Sequence, residues 1–115
     1  MKTDKLLKIV IDALEELKAV DIQILDVKEL TSITDMMVIA SGTSDRQVRS
    51  LANKVIEESK KNHTIPLGTE GQQEGEWILI DLGDVVVHIM QPATRDYYQL
   101  EKLWSVEATK LSSTI

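Results

Sequence analysis

The sequence predicts a single α+β domain, a mixed β-sheet flanked by helices, on three observations. Residues 4–19 repeat apolar side chains at helical spacing. Residues 44–62 do the same between two apolar runs and read as a crossover between strands. Residues 76–90 hold two apolar runs around Gly83-Asp84, a two-residue turn that makes them a hairpin. A length of 115 residues suits one domain, and 43% hydrophobic against 28% charged is a globular balance.

Taken in order, Leu6, Val10, Ala13, Leu14 and Leu17 form the apolar stripe of a first helix over residues 4–19. Ile22 to Val27 is extended, with Ile22, Ile24 and Asp26 alternating against Gln23, Leu25 and Val27. A polar interlude, Leu30 to Asp35, leads to Met36–Ala40, apolar throughout and therefore a strand buried on two faces. Ser44 and Gln47 have capping-box spacing and start a helix whose buried stripe is Val48, Leu51, Ala52, Val55 and Ile56. Arg49 falls on its wet side, and His63 just beyond its end, where a cation is favoured. Ile65-Pro66-Leu67 is short and extended at best, and Gly68 to Gly75 is loop by composition.

Two strands follow, Glu76–Leu82 and Val85–Met90, then a helix opened by Pro92 and running from Ala93 to Trp104. Tyr97, Leu100 and Trp104 share its inner face, and Tyr98 points off that stripe. The domain is assigned to residues 1–104, with 105–115 as a C-terminal extension.

The hairpin sorts its side chains. Pairing Leu82 with Val85, Ile80 with Val87 and Ile78 with Ile89 puts six aliphatic groups on one core face. The opposite face collects Trp77, Leu79, Asp81, Val86, His88 and Met90, too apolar for water and too polar for a core. Cover by the domain's own helices, a protein-binding patch and a small-molecule site are the three readings of it. His88 reads as a half-buried imidazole bonded to a carboxylate such as Asp81. Charge is uneven as well: no lysine or arginine lies between Lys61 and Arg95, while Glu70, Glu74, Glu76, Asp81 and Asp84 do. Such a stretch steers a basic partner, or simply solubilises.

Other classes are disfavoured. Without cysteine there is no disulfide, thiolate or cysteine-ligated zinc chemistry, and His63 and His88 lack ligand spacing. A net charge of -6 argues against sequence-specific nucleic-acid binding as a main activity. Hydrophobic runs are too short to span a membrane or serve as a signal core, so the cytoplasm is the expected compartment. Ser41-Gly42-Thr43-Ser44 leads into a helix start but lacks a Walker lysine. An enzymatic alternative is a residual nucleotidyltransferase using Thr43-Ser44 and Asp81, if a second carboxylate converges there. A third reading is a dimerisation module whose Trp77 face meets its own copy.

The segments SITDMMVIASG, GTSDRQVRSLANKV and PLGTEGQQEGEWILIDLGDVVVHIMQPATRDYYQLEKLW resemble the ribosomal silencing factor, or iojap-like, family. Together they span most of residues 21–104. The resemblance implies a nucleotidyltransferase-like topology without transferase activity, and no cofactor. It implies binding to the large ribosomal subunit through that subunit's fourteenth protein, which hinders joining of the small subunit and represses translation when nutrients are short. It also implies a homodimer off the ribosome. Carried onto this chain, the partner-facing residues are Trp77, Asp81, His88 and Met90, with Arg95 and Tyr98 added from the last helix. Glu70, Glu74 and Glu76 are the acidic steering groups.

Overall fold

The computed structural model describes residues 3–103. The element order is α1 (Thr3–Glu16), β1 (Val20–Asp26), β2 (Met36–Ser41), α2 (Asp45–Lys61), β3 (Gly68–Glu70), β4 (Trp77–Asp81), β5 (Val85–Met90), α3 (Pro92–Tyr98) and α4 (Leu100–Leu103). The expected mixed sheet forms, five strands in the order β1-β2-β5-β4-β3. Only β2 and β5 run parallel: α2 carries the chain across one face from β2 to β3 at the far edge, and the antiparallel steps from β3 to β4 to β5 bring it back beside β2. Trp104, and the extension assigned to residues 105–115, lie outside the described residues.

One face of this sheet carries α1 and α2. Leu6, Val10 and Leu14 of α1 and Val48, Leu51 and Val55 of α2 pack onto Val38, Ala40, Ile78, Ile80, Val87 and Ile89. The hairpin register agrees with the sequence, Ile78 opposite Ile89 and Ile80 opposite Val87, with the Leu82 N–H donating to the Val85 carbonyl at 2.9 Å. Burying a side chain of this size is worth about 1.5–3 kcal/mol, so this layer holds the sheet flat against the helices.

Helix ends depart from the sequence reading for one shared reason. Lys18, His63 and Gln99 all take left-handed backbone angles, with φ of 61°, 66° and 49°. After α1 the Ala19 N–H reaches back to the Leu14 carbonyl at 2.9 Å, and after α2 the Thr64 N–H reaches Ser59 at 2.8 Å. These bonds close each helix as a glycine would, with no glycine to announce it. The first helix therefore stops at Glu16 rather than near residue 19. The last does not run from Ala93 to Trp104: it ends at Tyr98, and Gln99 turns the chain before Leu100.

Gly68 to Gly75 is not all loop, because Gly68–Glu70 pairs with β4 as a short edge strand. The turn behind it needs Gly71, whose φ is 85° and where a Cβ would collide with the Trp77 carbonyl.

Candidate partner-binding face

The face of the sheet turned away from α1 and α2 is built by alternation. Trp77, Leu79 and Asp81 of β4 lie opposite Met90, His88 and Val86 of β5, and Met37 and Ile39 continue the row on β2. Its centre is covered by the chain itself. Val27, Met37, Ile39 and Met90 form a small second core, and Leu25, Trp77 and Leu100 pack against it. Met90 is 0% exposed, so it supports the face from beneath and cannot meet a partner directly, contrary to the exposed position expected for it.

Beside this core runs a groove of about 310 Å³, lined by Thr31, Ile33, Thr34, Met37, Leu79, Asp81, Val86, His88 and Leu100. The wall supplied by residues 31–34 was the polar interlude of the sequence. Its single outward apolar group, Ile33 at 81% exposure, was the only signal there. Leu100 is the other wall, and the turn at Gln99 is what aims it back at the sheet.

An aromatic row borders the groove. The Trp77 indole N–H donates to His88 Nδ1 at 3.0 Å, and its ring lies 4.9 Å from Tyr98 at 50°. Tyr98 meets Tyr97 edge-on at 4.9 Å. Tyr98 is 50% exposed and Tyr97 80%. Tyr97 is thus no core residue, because the continuous inner stripe expected of a long last helix never forms.

His88 is 6% exposed, deeper than the half-burial expected, and its partner is Trp77 rather than Asp81. Desolvation pushes the imidazole down to about 4, so it is neutral at ordinary pH. The Asp81 carboxylate instead accepts the Gly83 N–H at 2.9 Å, which tightens the β4–β5 turn. Arg95 is 5% exposed and faces inward: its guanidinium donates to Ser41 Oγ at 2.9 Å and lies 3.6 Å from the Asp21 carboxylate. It ties α3 to the end of β2 and to the bulge in β1, and it presents no open charge to a partner.

The acidic residues divide. Glu70 pairs with Leu79 and shares the groove side with Asp81. Glu74 and Glu76 are exposed in the segment that follows, where Arg49 donates to the Gln72 and Gln73 carbonyls at 3.1 and 3.0 Å. The gap in basic residues along the chain is therefore not a gap in space, because Arg49 of α2 braces that loop. Sequence spacing placed Arg49 on a wet helix side and could not see the loop fold onto it.

The residues of the enzymatic alternative do not converge. Thr43 and Ser44 follow the end of β2 where Ser41 aligns with Met90, while Asp81 lies opposite Val86. Four residues of strand separate those points, about 13 Å. The helix start is already satisfied: Ser44 Oγ accepts from Gln47 N–H at 3.1 Å, and Gln47 Oε1 accepts from Thr43 N–H at 2.6 Å. Among the described residues no group of three His, Cys, Asp or Glu could hold a metal ion, and no helix is long and apolar enough to cross a membrane.

Comparison with known proteins adds relatives to this geometry. A family model described as "Ribosomal silencing factor during starvation" matches residues 1–114. The chain is 48% identical over 104 residues to the ribosomal silencing factor RsfS of Chromobacterium violaceum, covering 90% of this chain and 85% of that one. It is 46% identical over 100 residues to RsfS of Haemophilus influenzae, covering 87% and 98%. A mouse protein named mitochondrial assembly of ribosomal large subunit protein 1 is 34% identical over 101 residues, covering 85% of this chain and 44% of that protein. A crystal structure of a Chromobacterium violaceum protein superposes with a TM-score of 0.89 at 48% identity, covering 90% and 87%.

Proposed function

The chain belongs to the ribosomal silencing factor family, and on that premise we propose that it binds the large ribosomal subunit and hinders the small subunit from joining. The docking site is that subunit's fourteenth protein, and the outcome is lowered translation when nutrients are short. The observation that carries the reading is the aromatic row of Trp77, Tyr98 and Tyr97 beside an apolar groove, on the sheet face that the two long helices leave uncovered. Aromatic anchors flanking a pocket are where binding energy concentrates. Specific docking of this kind buries about 1,200–2,000 Å² in total. The mechanism is steric and takes place in the cytoplasm with no cofactor and no catalysis. Off the ribosome, the same exposed aromatic face meets a second copy of the chain.

Co-sedimentation with purified large subunits tests this. Wild-type protein pellets with the subunit, and Trp77→Ala binds about thirtyfold more weakly, the equivalent of about 2 kcal/mol. Folded Trp77→Ala that pellets like wild type contradicts the reading.

A further inference from the structure

Trp77 engages one ring nitrogen of His88, Nδ1, and leaves Nε2 open. An indole N–H only donates, so His88 Nδ1 at 3.0 Å is the acceptor and carries no proton. A neutral imidazole then holds its one proton on Nε2, which becomes a donor of fixed direction. Burial keeps the ring neutral, with its pKa near 4. The ring is 6% exposed and lines the groove, and no hydrogen bond engages Nε2 among the described residues. Nε2 is not among the buried side-chain atoms left without a partner, so the donor opens on the groove, where an incoming acceptor can replace water.

We propose that His88 is a positioning residue at both nitrogens: Nδ1 holds the Trp77 indole, and Nε2–H anchors a neutral hydrogen-bond acceptor of the partner, such as a backbone carbonyl, beside an apolar side chain seated in the groove. Neutrality of the acceptor follows from Asp81, a carboxylate on the same lining that repels an anionic one. An apolar neighbour follows from Leu79, Val86 and Leu100. The inference rests on docking of the large subunit through this face and names the chemistry of the group that enters it.

Two amides separate the two nitrogens. The shorter side chain of His88→Asn puts an acceptor near Nδ1 and nothing at Nε2, whereas His88→Gln reaches the Nε2 position and leaves the indole unmatched. His88→Leu removes each role, and the two amides keep the test open if it fails to fold. The Trp77 Nε1–H resonance of the free protein, assigned by its loss in Trp77→Phe, reports the clamp without any ribosome. Co-sedimentation with purified large subunits reports the donor. Slow indole exchange with about fivefold weaker binding is expected for His88→Asn, from one lost neutral hydrogen bond. His88→Gln is expected to expose the indole to fast exchange and still bind more tightly than His88→Leu. Unchanged indole exchange in His88→Gln overturns the clamp. Wild-type affinity in His88→Asn, with Trp77→Ala weakened, overturns the donor and leaves the docking face standing. Equal binding by wild type and Trp77→Ala overturns the docking reading and the donor together, while the indole signal still judges the clamp.

Discussion

The Trp77 indole nitrogen reaches His88 Nδ1 diagonally across the β4–β5 pair, at 3.0 Å, although Trp77 lies opposite Met90 and His88 opposite Leu79. That contact turns a strand histidine into a buried acceptor and holds the largest side chain of the face in one orientation.

Acid should loosen the fold through this histidine. Its pKa falls from the ordinary 6.5 to about 4 on burial, so between those values the unfolded chain takes up a proton that the folded chain refuses. Stability is whole above pH 6.5 and is lost as pH falls toward 4, by about 3 kcal/mol in total. Urea melts from pH 7 to 4 should show a steeper decline for wild type than for His88→Asn. Parallel declines would mean the imidazole is not desolvated.

Binding and stability should part between neighbouring positions of β4. Ile80 is fully buried against the helices, so Ile80→Ala leaves a cavity and costs 2–5 kcal/mol. Trp77 is half-buried at the edge of the second core, and Trp77→Ala should cost less in the same urea melts. A larger loss at Trp77 would make the ring a core residue first.

The sequence made much of this legible where period and pairing speak. Alternation in β4 and β5 gave the register and two faces, and Ser44 with Gln47 gave the start of α2. Helix ends were illegible because Lys18, His63 and Gln99 do the work that glycine usually signals. Periodicity alone runs α3 on to residue 104, which puts Tyr97 inside and hides Leu100 as a groove wall. Met90 and Arg95 look outward from sequence because neither the cover supplied by Val27 and Leu100 nor the Ser41 partner is local.

Gln99 offers a direct check on that explanation. A non-glycine residue in a left-handed C-cap carries strain that glycine relieves. Gln99→Gly should stabilise the protein by about 0.5–1 kcal/mol in thermal or urea melts. Destabilisation would show that the Gln99 side chain itself holds the turn.

Salt should act on the encounter more than on the complex. Glu70 and Asp81 flank the groove side, and among the described residues the Asp81 carboxylate makes its turn bond to Gly83 and no ion pair, so their field is open to an approaching basic surface. A stopped-flow series in potassium chloride should show association slowing more than dissociation quickens, and Glu70→Gln should flatten the slope. An association rate independent of salt would leave the acidic residues as solubilising groups.

In the proposed mechanism, occupancy of the large subunit is itself the inhibitory act. The most direct measurement is the yield of joined ribosomes from purified subunits, by sucrose-gradient sedimentation, as the protein is titrated. Joined particles should fall in proportion to the fraction of large subunits occupied, with no nucleotide added, and Trp77→Ala should shift the curve to higher concentration by its loss of affinity. Undiminished joining at saturating occupancy by the wild-type protein would contradict it.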